Sequence, residues 1–590
     1  MRRRSASVLD AAPTVYKGFR LLEHDEWFYA FPENFGPVDW RQWRQLLQHP
    51  AVLAAPSRGN LELLIDDFDA SRLHVELLGT FEGYRLHRFQ ERIYAVPETL
   101  GCVDLVDPVQ RNHRDILSGD SPDEVQNRIR ATRSASPVEF AGWLPVFRRF
   151  GNCGLHPQFG HTENPPKGFR FVRSGWIPPD PVVPVPCRRG WIRSLRVLMR
   201  LVVIGLYAGL LSVWMFARNL VRYGPRRFGA ALGAAIRLYV RLRRRGGRLL
   251  PVLRFIHTRH FESQLMLPDD PGLVFYTSVP FTYGQHPWVI EIEDSTTLFF
   301  PFLHNGQTAH VQPRELPCWP LVRELLEAPS CRAIVTHMRS TAESLPVLFD
   351  SPTIAAKTFH LPMGVQVPSR PVDQEDDDIV HLLFTNSWHQ QTVGFRVRGG
   401  YEVLEAFSIL QRRYKNLRLT MRTVMPPLID RHARMLEQGW VRVIGRFLPS
   451  AEMAELQRQS HIYLLPAARI HIVSLLQAMA YGQAVVGTDG WGFAEYLEDN
   501  RNGLVVRGRS HLTWMDEKTG LLREDYSQLY KPDPVVVAGL VESISRLVED
   551  RALRRRLATT ARADVEQRFN LKRWNEGLGA IFEQAQTRRD

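Results

Sequence analysis

Two stretches of the chain gather residue types that handle an anion. In RVRGGYEVLEAF, Arg396 and Arg398 precede the paired Gly399 and Gly400, where a helical pattern begins. Unpaired N–H groups at a helix start, with guanidinium groups beside them, stabilise phosphate oxygens without a metal. Glycine there lets the backbone come close to what it binds. The second stretch, RIHIVSLLQAMAYGQAVVGTDG, runs from Arg469 to Gly490 and sets Arg469, His471, Ser474 and Gln477 into an apolar run. Blander readings stand beside these: solvated arginines, a plain glycine turn, and a histidine that only packs. The five cysteines, Cys102, Cys153, Cys187, Cys318 and Cys331, form no CxxC pair. They give no zinc site and no disulfide framework, and fit a reducing cytosol.

Short apolar runs alternating with amphipathic ones must position these residues, and that alternation predicts βα units and a parallel sheet. Between Gly272 and Pro368 the runs GLVFYTSVP, WVIEIED, CRAIVTHMRSTAESLPVLF and TFHLPMGVQVP give a first series, placed in residues 260–372. The acidic tract SRPVDQEDDD separates it from a second, in residues 373–590, that opens at IVHLLFTNSW.

From about Gly272 to Ala585, and most strongly after Ile379, the chain resembles the retaining nucleotide-sugar glycosyltransferases of the two-Rossmann GT-B fold, family four. RVRGGYEVLEAF, GFAEYLEDNRNGLVV with Glu495, and LPMGV at Leu361 to Val365 carry the resemblance. It implies an α/β chain whose first half faces the acceptor and whose second holds a UDP- or GDP-sugar, with no metal or other cofactor. Arg396 and Arg398 are then the candidate catalytic residues. Gly399, Gly400, Arg469, His471, Ser474, Gln477 and Glu495 are the candidate substrate-binding ones. The family carries two glutamates with seven residues between them around a glycine-rich loop, one facing the transferred sugar and one the ribose. Counting back from AMAYG puts them at Arg469 and Gln477, and the loop glycines at Ile470 and Ile472. Gln477 still offers an amide oxygen to a ribose hydroxyl. Arg469 turns an acceptor into an obligate donor of opposite charge. Either the donor is an acidic sugar whose carboxylate meets Arg469, or the half is a non-catalytic binding or scaffold domain that assists a partner transferase.

Ahead of the α/β halves lie an α+β repeat module, residues 1–176, and a basic apolar helical segment, residues 177–259. GFRLLEHDEWFYAFPENFGPVD at Gly18 to Asp39 aligns without gaps on GYRLHRFQERIYAVPETLGCVD at Gly83 to Asp104, and KGFRFVRSGW at Lys167 is a shorter third echo. Each copy predicts a hairpin, and the copies are expected to pack on one another under helical connectors such as WRQWRQLLQHP. The module reads as a scaffold or oligomerisation unit, a carbohydrate-binding unit, or a remnant. IPPDPVVPVP then forms a stiff linker.

The net charge of +13 is concentrated in one place, since Arg188 to Arg259 contains no Asp or Glu. Within it, Leu201 to Ala217 is apolar but falls just short of a hydrocarbon core of about 30 Å. Arginines on both flanks argue against a single crossing. The expectation is a re-entrant or surface-lying pair of helices on an anionic membrane, the second presenting Phe228, Leu232, Ile236 and Val240, rather than a nucleic-acid arm. MRRRSASVLDAAP lacks the apolar stretch of a signal peptide. Together these features predict a transferase at the cytoplasmic face of the inner membrane, working on a surface polysaccharide, glycan or lipid-linked acceptor.

Overall fold

The computed structural model describes residues 14–24, 27–32, 52–55, 58–66, 74–89, 92–100, 116–134, 136–142, 165–176, 223–258, 272–277, 286–299, 306–372, 379–386, 392–426, 430–445 and 450–587, with single positions between them. Leu201 to Ala217, the proline-rich linker and the WRQWRQLLQHP connector lie outside the described residues.

The duplication appears as two four-stranded antiparallel meanders, each followed by a helix. The first is β1 (Thr14–Tyr16), β2 (Phe19–His24), β3 (Trp27–Pro32) and β4 (Leu53–Ala55), then α1 (Arg58–Asp66). The second is β5 (Val75–Phe81), β6 (Tyr84–Phe89), β7 (Arg92–Pro97) and β8 (Leu117–Gly119), then α2 (Pro122–Ser134). Their registers superpose: Phe19 faces Pro32 as Tyr84 faces Pro97. Both first hairpins turn through two residues of positive φ, Lys17 (45°) with Gly18 (80°) and Glu82 (46°) with Gly83 (80°), the mirror-image turn that matches strand twist. The copies do not share a core among the described residues. Phe19, Leu21, Ala30, Leu61 and Leu64 of the first belong to a cluster with Leu448 and Leu456, far along the chain. Leu86, Ile93 and Ala95 of the second pack on their own helix through Val125 and Ile129. One cause covers both, because each meander buries one face on whatever apolar surface lies next to it.

The third echo departs from the repeat. Phe169–Trp176 is a strand of the first parallel sheet, not part of an accessory module, and a division at residue 176 cuts that sheet away from two of its strands. The sheet runs β10 (Phe169–Trp176), β9 (Ser136–Gly142), β11 (Val274–Thr277), β12 (Trp288–Ile292), β13 (Cys331–Thr336) and β14 (Thr358–His360), every pair parallel. Burial of Val138 and Phe169 beside Phe275 explains the recruitment.

The helix α3 (Pro225–Arg244) and the shorter α4 (Leu249–Thr258) form a tight hairpin against this half, with Leu242 and Val252 in its core. Phe228 is buried beside Ala231 and Leu265, and Leu232 packs on them, so neither faces outward, whereas Ile236 is 53% exposed. A row of every fourth residue drifts about 40° per step around a 3.6-residue helix, so the row from Phe228 to Val240 winds from the inner face to the outer one. Among the described residues, no helix is long and apolar enough to cross a membrane.

The helices α5 (Trp319–Glu327), α6 (Arg339–Phe349) and α7 (Pro352–Ala355) complete the first half. The second sheet is also wholly parallel, ordered β17 (Val441–Ile444), β16 (Leu417–Arg422), β15 (Val380–Thr385), β18 (Ile462–Leu464), β19 (Ala484–Thr488) and β20 (Leu504–Val506). Counted within the half this is 3-2-1-4-5-6, the doubly wound order, whose ligand crevice opens where the order reverses, between β15 and β18. The chain thus has two Rossmann-like sheets after antiparallel modules, as its patterning predicts. Around the second sheet lie α8 (Thr392–Val397), α9 (Gly400–Arg413), α10 (Asp430–Glu437), α11 (Ser450–Arg458), α12 (Ile472–Ala480), α13 (Pro534–Glu549) and α14 (Arg551–Arg568).

Two segments tie the halves together. The last helix, α15 (Leu571–Thr587), crosses back to the first sheet, where Phe582 meets Phe169 and Phe275 edge-on at 5.4 and 5.3 Å. Within the long segment from Arg507 to Pro534, the hairpin of β21 (Thr513–Asp516) and β22 (Leu521–Glu524) docks on the first half. A Cβ on Gly520 would lie 2.4 Å from the Ser344 carbonyl oxygen, so that docking needs glycine.

Candidate functional site

Where β15 and β18 diverge, Thr385 ends one strand and its hydroxyl meets the Tyr463 hydroxyl of the other at 2.6 Å. Arg398 reaches into this point. Its Nη1 donates to the Thr385 carbonyl at 3.1 Å and to Ser474 Oγ at 3.4 Å, and the residue is 5% exposed. Burial lowers its pKa below the ordinary arginine range, opposed by Tyr463 and Glu293. Beside it Asn386, 1% exposed, keeps a buried Oδ1 with no hydrogen-bond partner.

Ser474 lies in the first turn of α12. The preceding His471 caps that helix with no side-chain bond, and the first N–H returning to it is that of Leu475. The start of α12 therefore keeps the unsatisfied donors and positive pole of a helix amino terminus, facing a buried guanidinium. Burial, then the charges of Arg398 and Arg469, push the His471 pKa well below 6.5, so its imidazole is neutral. Its Nε2 is buried without a partner.

Arg396, Gly399 and Gly400 do not join this arrangement. Gly399 is left-handed at φ 78°, and a Cβ there would lie 2.4 Å from the Pro466 carbonyl oxygen. A Cβ on Gly400 would lie 2.4 Å from the Phe395 ring. These glycines admit Pro466 and Phe395, which occupy the approach to α9 that the sequence assigns to a ligand. Arg396 stacks on Tyr401, 5.7 Å from the ring centroid. Both α9 and α12 begin without a side-chain cap, and it is the start of α12 that lies beside Arg398.

Arg469 is 7% exposed and held by three carboxylates: Asp294 at 2.7 Å, Glu524 at 2.9 Å and Glu293 at 3.3 Å. Its guanidinium also lies over Trp491 at 5.3 Å. Burial opposes the charge, but Asp294, Glu524 and Glu293 outweigh it and raise the arginine further. Burial likewise pushes Asp294 up, yet Arg469 and the bonds from Thr296 hold it below the carboxylate range. Glu293, 29% exposed at its side chain, is raised, because burial exceeds the pull of Arg469. A guanidinium so compensated has no charge left over for the carboxylate of an acidic sugar.

Glu495 accepts from the N–H groups of Arg339 and Ser340 and from Ser340 Oγ at 2.5, 3.1 and 2.7 Å. It caps α6 of the opposite half, whose own N-cap Met338 has no side chain for the task. Gln477 is half-buried two turns into α12.

Sequence reasoning missed Asn386, Glu293, Asp294 and Glu524. The adjacent acids Glu293 and Asp294, just beyond the wholly buried strand β12, were a readable signal, because the carboxyl end of a parallel strand is where such a fold places its site. Nothing local marks Glu524, which reaches the cluster through the hairpin.

Residues 393–524 match the family described as glycosyl transferases group 1. No curated protein matches the chain in sequence. Among solved structures, sucrose-phosphate synthase from Thermosynechococcus elongatus is 15% identical over 53% of this chain and 73% of that one, with a TM-score of 0.37. A glycosyltransferase from Rickettsia africae is 12% identical over 54% and 77%, with a TM-score of 0.37. The pneumococcal O-GlcNAc transferase GtfA, in complex with UDP and GlcNAc, is 13% identical over 57% and 61%, with a TM-score of 0.41.

Proposed function

We propose that this chain, whose residues 393–524 carry a group 1 glycosyltransferase domain, moves a sugar from a UDP- or GDP-sugar to a glycan or lipid-linked acceptor at a membrane surface. One observation carries the reading: buried Arg398 and the uncapped start of α12 converge where β15 and β18 part. A diphosphate seated there would receive main-chain N–H groups and one guanidinium. As the bond from the sugar carbon to the diphosphate oxygen breaks, these fixed donors stabilise the charge gathering on that oxygen. His471 stays neutral beside them, which leaves the positive charge there to Arg398. By resemblance, transfer retains the anomeric configuration, with Gln477 near the ribose. Glu293, the most exposed acid of the Arg469 cluster, offers an acceptor for a sugar hydroxyl from the opposite wall. The positive-only segment before the first half supports work at the cytoplasmic face of a membrane.

Calorimetry with UDP, GDP and their sugars tests the donor site. Saturable binding lost in Arg398→Ala and kept in Arg396→Ala is expected; no binding to any of them at millimolar concentration ends this reading. A second reading rests on the Arg469 cage. An ion-paired arginine at the sugar-facing position fits a non-catalytic domain that assists a partner transferase, and donor binding without turnover would favour it.

A further inference from the structure

The hairpin of α3 and α4 buries one face against the first half and leaves the other with an uncommon composition. On α4, Leu249, Leu250 and Leu253 are 50, 72 and 48% exposed. On α3, Ile236 is 53% exposed, and the exposed Arg226, Arg237 and Arg244 line up with one another at helical spacing, about a quarter turn around from it. Arg245 and Arg248 flank the tight turn, where Gly246 adopts φ 81° and a Cβ on Gly247 would meet Val252 at 2.6 Å. The two remaining arginines near the tip are committed: Arg241 pairs with Glu324 at 2.8 Å, and Arg243 donates to the Gly247 carbonyl at 2.7 Å. No ion pair is seen for Arg226, Arg237, Arg244, Arg245 or Arg248 among the described residues.

We infer that this outward face is a docking surface for an anionic lipid bilayer, with Leu249, Leu250 and Leu253 entering the acyl boundary and the five arginines meeting lipid phosphates. Exposed leucines next to uncompensated arginines suit an interface that is apolar below and negatively charged above, since arginine stems lie along apolar surface while their heads stay with phosphate. A second copy is a poor occupant, because two-fold pairing would bring the same arginines face to face. Nucleic acid would satisfy the arginines and leave the leucines in water. The hairpin packs on the first half through Leu242 and Val252, so docking holds the acceptor-side half at the membrane, which favours a lipid-borne acceptor. That last step rests on the transferase reading above; the docking itself does not.

The full chain is floated with vesicles of phosphatidylcholine alone and of equal phosphatidylcholine and phosphatidylglycerol, beside two variants, Leu249→Ser/Leu250→Ser/Leu253→Ser and Arg244→Gln/Arg245→Gln/Arg248→Gln. The wild type should bind the anionic vesicles, and each variant should bind about tenfold more weakly, the charge variant losing most of the salt dependence. UDP binding and thermal midpoint should stay at wild-type values, since every altered side chain is exposed. Wild-type vesicle binding in the leucine variant would overturn the assignment and point to the apolar run at Leu201 to Ala217 instead. A wild type that ignores anionic vesicles but binds duplex DNA or an acidic polypeptide would overturn it too. Loss of UDP binding in the wild type would fail the transferase reading alone.

Discussion

Arg469 Nη2 stands 2.7 Å from Asp294 Oδ2, an ion pair that joins the second parallel half to the carboxyl end of β12 in the first. Glu524 completes it from the β21–β22 hairpin, with Gly306 N–H and Tyr526 hydroxyl bonds to its two oxygens at 2.8 and 2.7 Å. At the position where the resemblance implies a sugar-facing carboxylate, the chain holds a cation that fastens the cleft walls together.

Removing that cation leaves three acids facing each other, with Asp294 and Glu524 out of water. Arg469→Met should cost about 3–5 kcal/mol of stability, read from denaturant midpoints. Arg469→Glu, which installs the residue type that the resemblance implies, should be less stable still rather than more active. If Arg469→Met keeps the wild-type midpoint, the cage is not what holds the cleft.

Acid should loosen the molecule before its carboxylates titrate. The His471 pKa in the fold lies well below 6.5, so the unfolded chain takes the proton first. Its stabilisation is complete above about pH 6.5 and falls as the pH drops below that, by up to about 1.4 kcal/mol per pH unit for one proton. His360 and His381 are shifted the same way and add to the slope. Asp294, held low, contributes above its ordinary 3.8 and fails only in stronger acid. Denaturant midpoints between pH 7.5 and 5 should slope less in His471→Asn.

The glycines before α9 serve packing, which a paired substitution can reveal. Gly400→Ala should cost about 1–3 kcal/mol through its clash with Phe395, and Phe395→Leu in the same chain should return part of it. Were Gly400 needed for donor approach, the second change would restore stability without restoring UDP affinity.

Deleting α15 should strip the cover from a face of the first sheet. Phe582→Ala alone should cost about 3–5 kcal/mol in thermal or chemical unfolding, because the ring is fully buried against Phe169 and Phe275. A chain truncated before Leu571 should be recovered as aggregate rather than as a donor-binding fragment.

Periodicity made the two sheets legible, and the repeat was legible as identical residues at fixed spacing, because both depend on local pattern. The recruitment of Phe169–Trp176 to a sheet far along the chain was not, since its sequence is that of the repeat and only its neighbours differ. Arg398 and Ser474 were singled out by residue type, and the structure brings them within 3.4 Å of each other beside the break in strand order, which local pattern does not reveal. Arg469 and Glu495 were readable as departures or matches, but their partners sit 175 and 156 residues away. A motif records which residue type stands at a position; what neutralises it is decided by tertiary contact.

Because the sheet built from Ser136 to His360 is covered by Trp574, Leu578 and Phe582, its face must wait until codons beyond the whole second sheet have been read. A ribosome releasing this chain exposes that apolar surface throughout the synthesis of the second half, at a few to a few tens of residues per second. Biogenesis thus sets its own requirement for a chaperone, or for early contact with another surface, that the finished molecule no longer displays.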